Sequence, residues 1–347
     1  MARPSVKKLK RLAGWTVSLL LTVLAVVITM TIGWRPLLGA RSRPLTERQF
    51  ERTPERLKRG NYLVNGVVGC FDCHSELPKV PPQPGQMPKF AKLGAGRIAV
   101  NKKGFLLAIP NITPDIETGA GAWTDDQFAR AIREGIGHDG RTLFPMMPYQ
   151  GYRYLSDEDL ASVVVYLRSL EPIHNELPHR KLPFVLQRLI NSAPEPIETP
   201  VKDVSGQSVR GEYLTRVGGC VNCHTPHDKM GRPLPEMEFA GGSQFKGMAV
   251  SANITPDPSG ISYYDENLFI KTMRTGHVGA RPLRLPMPWW IYRNMTDSEL
   301  KVIFGYLRTV KPVHHRVDND EEATECKLCN GRHGLGTDNH QSLDAAQ

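Results

Sequence analysis

Gly69-Cys70-Phe71-Asp72-Cys73-His74 and Gly219-Cys220-Val221-Asn222-Cys223-His224 are two copies of one pattern, and their surroundings repeat with them. Arg59-Gly60-Asn61-Tyr62-Leu63 precedes the first, and Arg210-Gly211-Glu212-Tyr213-Leu214 precedes the second. Downstream, Asn111-Ile112-Thr113-Pro114-Asp115 recurs as Asn253-Ile254-Thr255-Pro256-Asp257. Met147-Pro148-Tyr149 recurs as Met287-Pro288-Trp289, and Tyr166-Leu167-Arg168 as Tyr306-Leu307-Arg308. Because the order is kept throughout, the chain reads as an internal repeat whose unit, about 120–130 residues, is an ordinary domain size. This predicts domains at 46–175 and 203–315, a linker at 176–202 and a tail at 316–347. The linker is rich in proline and charge, but Pro183 to Ile190 is apolar and is expected to pack between the domains.

Local signals make each unit mainly helical. Thr53-Pro54 supplies an N-cap and a first-turn proline for a helix running toward Gly69. Thr124-Asp125-Asp126-Gln127 is a capping box ahead of Phe128, Ile132 and Ile136 at helical spacing. Ser156-Asp157-Glu158-Asp159 and Thr296-Asp297-Ser298-Glu299 open the last helix of each unit. Residues 97–109 read as a short hairpin, so each unit is expected to carry a small β insert.

A different solvent is implied at the N-terminus. Leu12 to Trp34 is free of charge, and 23 residues at about 1.5 Å each cross a bilayer core. Arg3, Lys7, Lys8, Lys10 and Arg11 precede it without an acidic residue. The positive-inside rule then sets residues 1–11 in the cytoplasm, 12–34 in the membrane and the remainder outside. A cleaved signal peptide is the competing reading, although Leu38-Gly39-Ala40 is a poor cleavage site. The net charge of +9 is also explained here, because eight of the 44 Lys and Arg lie in the first 43 residues. The rest is nearly neutral, so nothing points to a nucleic-acid partner.

Six cysteines in an exported chain ordinarily suggest disulfides. Here they form three Cys-x-x-Cys pairs, two of them followed at once by His. Cys-x-x-Cys-His at a helix start lets two thiols form thioethers with the vinyl groups of a haem while the histidine takes one face of the iron. Cys70 and Cys73, and Cys220 and Cys223, are therefore attachment candidates for two haems c, with His74 and His224 as proximal ligands. A chance match, a zinc half-site and a thioredoxin-like redox pair are the competing readings. Late in each unit Met147 and Met287 match, each followed by proline and an aromatic residue. They are the candidate distal ligands, with His138 and His277 as runners-up. His/Met ligation fills both axial positions, which points to electron transfer rather than independent catalysis. Trp123 is a candidate haem-edge donor or a core aromatic. Asn111 and Asn253 are turn and cap residues that are also candidates for haem-edge contact.

The third pair, Cys326-Lys327-Leu328-Cys329, has Asn330 where a proximal histidine would stand. A disulfide or two free thiols, a metal site completed by His333 or His340, and an unusual haem attachment all remain open. The segment itself reads as a tail.

With these motifs in hand, the chain resembles the periplasmic multihaem cytochromes c that serve as electron-accepting subunits of membrane-bound alcohol, gluconate and sugar dehydrogenases. The resemblance covers both repeats through Gly-Cys-x-x-Cys-His, Asn-Ile-Thr-Pro-Asp, Met-Pro-aromatic and Tyr-Leu-Arg. It implies two tandem class I-like cytochrome c domains, with the distal methionine falling on Met147 and Met287. Those subunits carry three haem domains and a C-terminal membrane segment, whereas this chain has two motifs and an N-terminal apolar run. The expected role is a relay on the periplasmic side of a bacterial inner membrane. The donor would be a dehydrogenase or quinol-oxidising complex, and the acceptor a downstream cytochrome or oxidase. The alternatives are a dihaem enzyme of the peroxidase or thiosulfate-oxidising kind, with one haem lacking its methionine, and a haem-based redox sensor.

Overall fold

The computed structural model describes residues 6–80, 82–83, 85–204, 206–229, 231–245 and 247–337. The charge-free run lies in helix α1 (Val6–Met30), whose Lys10–Met30 portion is long and apolar enough to cross a membrane. Its threonines return their hydroxyls to carbonyls one turn back, as Thr16 to Leu12 (2.9 Å) and Thr29 to Ala25 (2.7 Å), which satisfies them without water. The helix stops short of the expected Trp34. Gly33 adopts a left-handed φ of +69°, and a short helix α2 (Arg35–Leu38) starts anew from Trp34.

Beyond α2 the chain is pinned to the next unit by charge. Arg43 donates from both Nη atoms to Asp126 at 2.7 Å and from Nε to Glu134 at 2.9 Å, and Thr46 N–H also reaches Asp126 at 2.7 Å. Burial alone would push the Asp126 carboxyl up; the Arg43 guanidinium and the Thr46 N–H outweigh it and hold the group below its usual range.

Two similar sets of helices follow. In the first half come α3 (Pro54–Gly66), α4 (Cys70–His74), strands β1 (Arg97–Lys102) and β2 (Phe105–Ile109), α5 (Asp125–Glu134), α6 (Tyr149–Tyr152) and α7 (Asp157–Leu167). The connector carries α8 (Phe184–Leu189). The second half has α9 (Gln207–Val217), α10 (Cys220–His224), α11 (Glu266–Thr275), β3 (His277–Val278), β4 (Arg281–Pro282), α12 (Trp289–Tyr292) and α13 (Asp297–Leu307). The expected caps form. Thr53 accepts from Arg56 N–H, Ser156 from Asp159 N–H and Thr296 from Glu299 N–H, and Thr124 and Gln127 close a reciprocal box.

Helix α3 crosses α7, and α9 crosses α13, each at a glycine. A Cβ on Gly60 would stand 2.0 Å from the Ser162 carbonyl oxygen, and one on Gly211 would stand 2.3 Å from that of Val302. The missing side chains let the backbones touch while Leu63, Val64, Leu160, Val163 and Val164 interlock beside them. Leu214, Val217, Leu300, Ile303 and Phe304 do the same in the second half. One continuous apolar core runs through both. Charge and hydroxyl groups join them too: Tyr213 donates to Asp159 at 2.6 Å, and Tyr62 bonds Glu299 in return. Arg59 and Arg210 each pair with the acid of their own half, Asp159 and Glu299 respectively.

Three expectations need correction. The hairpin β1/β2 forms where residues 97–109 place it, turning at Lys103-Gly104, but the second half has no strand between Gly241 and Asn253 among the described residues. Gly96 and Gly241 are equivalent, each donating its N–H to the carbonyl of the preceding motif histidine, yet 14 residues separate Gly96 from Asn111 and 11 separate Gly241 from Asn253. The shorter segment lacks the residues for two strands and a turn. The second unit does carry a small β insert, but among the described residues it is the two-residue antiparallel pair β3 and β4, later in the unit. The connector's apolar stretch packs beside α2 rather than between the halves, with Ile190 buried and Phe184 and Val185 exposed; Lys181 extends the first hairpin by pairing with Leu106. Finally, the supposed tail is folded through its first part: β5 (Asp318–Glu325) and β6 (Arg332–Gly334) pair antiparallel.

Candidate functional site

Each Cys-x-x-Cys-His motif forms a one-turn helix entered through a glycine in the left-handed region, Gly69 at φ +63° and Gly219 at +76°. Glycine is the residue that takes this conformation without steric penalty. At Gly69 it also admits a neighbour, since a Cβ would meet Ile291 Cδ1 at 2.2 Å.

The two histidines are held alike. His74 Nδ1 lies 2.8 Å from the Pro110 carbonyl oxygen, and His224 Nδ1 lies 2.7 Å from that of Ala252. A carbonyl only accepts, so Nδ1 carries the proton and Nε2 keeps its lone pair for a ligand. Burial drives His74 down to about 4 and lowers His224 as well, so both rings stay neutral at physiological pH, as iron ligation requires. Burial also pushes the Cys70 and Cys220 thiols up to about 12 and raises Cys73 and Cys223. A dithiol redox catalyst needs the opposite shift, which argues against a thioredoxin-like pair.

Next to α10 lies a cavity of about 670 Å³, and Cys220, Cys223, His224 and Met287 all face it. Its walls are apolar, from Leu214, Ile261, Phe269, Leu283 and Leu300, with Arg281, Arg284 and Arg316 at its polar side. The donor set, the neutral imidazole and the volume fit a haem. Covalently attached haem c would supply the one-electron redox couple, and the chain's own groups would attach it, ligate it and exclude water. His277 lies outside this cavity, and its Nδ1 is spent on the Thr275 carbonyl at 2.9 Å.

Met147 and Met287 sit in matching turns. Met147 N–H donates to the Phe144 carbonyl and Met287 N–H to that of Arg284, and Met147 packs against the core. Five residues on, Tyr152 donates its hydroxyl to the Val68 carbonyl at 2.6 Å, and Tyr292 donates to that of Gly218 at 2.5 Å. Each tyrosine thus ties the turn bearing a methionine to the backbone two residues ahead of a motif's first cysteine. The sequence reading overlooked both, although their common offset from the methionines was visible.

The weaker candidates have structural partners. Trp123 packs on Phe128 and stacks on His138 at 4.6 Å, which accounts for both rings. Asn111 accepts from Thr113 N–H and Oγ1–H and donates to the Ile173 carbonyl at 2.7 Å. Asn253 repeats this with Thr255 and the Val313 carbonyl at 2.8 Å while also lining the cavity. Both asparagines are turn residues that close a loop onto the end of their unit. Cys326 and Cys329 are buried together with His315 and His333, beside Gly242 in the segment that follows the second motif. His340 falls outside the described residues.

Each motif also touches the other half of the chain. Trp290 Nε1–H donates to Asp72 at 2.8 Å, Asn294 donates to the Asn65 carbonyl at 3.0 Å, and a Cβ on Gly151 would meet Asn222 at 2.8 Å. Burial pushes the Asp72 carboxyl up to about 6, with the indole N–H pulling against it.

Comparison with known proteins agrees with this chemistry. Residues 58–171 match the family model described as Cytochrome c. The chain is 30% identical over 271 residues to the fructose dehydrogenase cytochrome subunit of Gluconobacter japonicus, covering 73% of this chain and 52% of that one. It is 27% identical over 300 residues to the cytochrome c subunit of the quinone alcohol dehydrogenase of Gluconobacter oxydans (strain 621H), covering 80% and 60%. A diheme cytochrome c-type protein of Cereibacter sphaeroides is 29% identical over 195 residues, covering 54% and 64%. The chain therefore spans about half to two thirds of the length of these relatives.

Proposed function

Since residues 58–171 are a cytochrome c domain and the relatives are named as cytochrome subunits, we propose that this chain relays electrons through two covalently bound haems c, one in each of two tandem domains at 46–175 and 203–315. Cys70 and Cys73 attach the first haem, with His74 and Met147 as axial ligands; Cys220 and Cys223 attach the second, with His224 and Met287. The observation that carries the reading is the doubled clamp: a histidine with Nδ1 on a carbonyl and a tyrosine joining the methionine turn to the attachment loop, in both halves. Methionine opposite histidine favours the reduced iron relative to bis-histidine ligation and leaves no open position for a substrate, so the chain's task is to hold, insulate and place the two haems. Asp72 of the first attachment helix meets Trp290 of α12, the helix that follows Met287, which supports a short path between the two haems.

In this proposal α1 anchors the protein in a bacterial inner membrane, with its basic end in the cytoplasm and both domains on the periplasmic side. The donor is a dehydrogenase, as the relatives' names suggest, or a quinol-oxidising complex; the acceptor is a downstream cytochrome or oxidase.

The test is haem per chain by the pyridine haemochrome method, combined with spectra of the oxidised protein and of Met147→Ala and Met287→Ala. Two haems are expected, both low-spin, and each substitution should remove about half of the near-infrared band of methionine-ligated ferric haem. One haem per chain, or a high-spin centre in the unaltered protein that binds cyanide readily, would overturn the proposal.

A further inference from the structure

The four side chains His315, Cys326, Cys329 and His333 meet against the segment that follows the second motif, beside Ala240 and Gly242, and none of them belongs to either Cys-x-x-Cys-His motif. Their exposures are 0%, 0%, 3% and 2%, and one donor atom from each lies within 4.8 Å of every other. Cys326 and Cys329 stand on the turn of the β5/β6 hairpin, where Asn330 N–H donates to the Cys326 carbonyl and Cys326 N–H to that of Gly331. His333 is on the returning strand, and His315 arrives from the segment after α13.

The orientation of the rings is decisive. His315 Nδ1 lies 2.8 Å from the Ala240 carbonyl oxygen and His333 Nδ1 lies 3.2 Å from that of Gly334, so in neutral rings both Nε2 atoms carry lone pairs. Those atoms face each other at 3.0 Å. Two buried lone pairs at that distance repel unless a positive charge lies between them. Cys326 Sγ lies 3.4 Å from His315 Nε2 and Cys329 Sγ 3.7 Å from His333 Nε2, and the other pairs are within 4.8 Å. A tetrahedron with bonds of about 2.3 Å to sulfur and about 2.0–2.1 Å to nitrogen has edges of about 3.3–3.8 Å; the two sulfur–nitrogen spacings fall in that range and the nitrogen–nitrogen one is about 0.3 Å short of it.

We propose that His315, Cys326, Cys329 and His333 bind one zinc ion in a closed, tetrahedral, structural site. Two thiolates and two neutral imidazoles cancel the charge of the divalent ion, and a tetrahedral set of two sulfurs and two nitrogens favours zinc among the common metals. A disulfide would supply no positive charge to the facing imidazoles, which would then have to share a proton between them. Crowding argues against haem attachment: both thiols are buried, and a Cβ on Gly242 would lie 2.8 Å from His315 Cε1 and 3.3 Å from Cys329 Sγ, which leaves no flat opening for a porphyrin on that side.

The site clamps the strand that follows His315. Residues 316–320 border the cavity next to α10; Asn319 exchanges two hydrogen bonds with the Val250 backbone, at 2.8 and 3.0 Å, and Asp320 pairs with Arg284, three residues ahead of Met287. Zinc thereby holds one wall of that cavity closed. This consequence uses the haem reading; the metal assignment stands on the four side chains alone.

Zinc per polypeptide, measured by mass spectrometry of the elements on the full-length protein in detergent, tests the site independently of haem content. Zinc K-edge absorption then reads the ligands without interference from iron. One zinc per chain is expected, with two sulfurs at about 2.3 Å and two nitrogens at about 2.0–2.1 Å. Cys326→Ser and His333→Ala should each lower zinc retention at least tenfold, while Cys326→His, which restores a donor, should keep it. Absence of zinc from the unaltered chain, a Cys326–Cys329 disulfide in its non-reduced peptide map, or full retention in both ligand variants would overturn the proposal.

Discussion

Replacing Gly60 by alanine should weaken the first helix crossing by an amount that the geometry sets. The added Cβ would stand 2.0 Å from Ser162 O, 2.6 Å from Tyr166 Cβ and 2.7 Å from Ser162 C. Ordinary carbon–oxygen contacts begin near about 3.3 Å, so α3 must retreat from α7 by roughly 1 Å. The nearest atom is a backbone carbonyl inside a helix and has no rotamer to escape into. Overpacking of this kind costs about 1–3 kcal/mol, and the upper end applies here because Leu63 and Val64 are drawn out of contact with Leu160 and Val164. Alanine's better helix propensity returns about 1 kcal/mol. The net loss is about 2 kcal/mol, a fall in Tm of roughly 4–8 °C for a body of this size. Gly211→Ala, 2.3 Å from Val302 O, should behave alike. Gly305→Ala is the control: it lies in helix α13 with nothing within 4 Å of its Cβ, and should be neutral or stabilising by up to about 1 kcal/mol. Thermal unfolding of the full-length protein in detergent, followed by far-ultraviolet circular dichroism, gives all three. Equal shifts for Gly60→Ala and Gly305→Ala would refute the close crossing.

Other consequences follow from the buried polar contacts. Arg43→Met strands Asp126 and Glu134, both buried, and should cost about 3–5 kcal/mol in denaturant unfolding. Because the folded Asp126 group is held below its usual range, its stabilisation is present at neutral pH. It disappears as the pH falls below the ordinary carboxylate value of about 4, so wild-type stability should drop there while the Arg43→Met chain responds less or gains. Tyr152→Phe and Tyr292→Phe each remove the bond between a methionine turn and an attachment loop. Each should lose about 1–2 kcal/mol, and methionine ligation of its own haem alone should fail at milder alkaline pH, read from the near-infrared band.

What the amino-acid sequence determined by itself was the chemistry that acts over a few residues. Cys-x-x-Cys-His carries its own pattern of donors, and the caps at Thr53, Thr124, Ser156 and Thr296 mark helix starts with a hydrogen bond three residues long. The apolar run of α1 is similarly self-evident, apart from its end, which Gly33 moved to Met30. Tertiary structure decided whatever depended on a distant partner. Among the described residues the second unit's hairpin is β3/β4 rather than a counterpart of β1/β2, because three fewer residues span Gly241 to Asn253, and the connector lies beside α2 because that is where an apolar neighbour is available. Strand β5 reads Asp-Asn-Asp-Glu-Glu-Ala-Thr-Glu, with no alternation to betray it, and forms only because β6 returns to meet it. The third cysteine pair was ambiguous for the same reason. Its meaning lay with His315, eleven residues upstream and outside any motif, and only the folded chain aims that ring at His333.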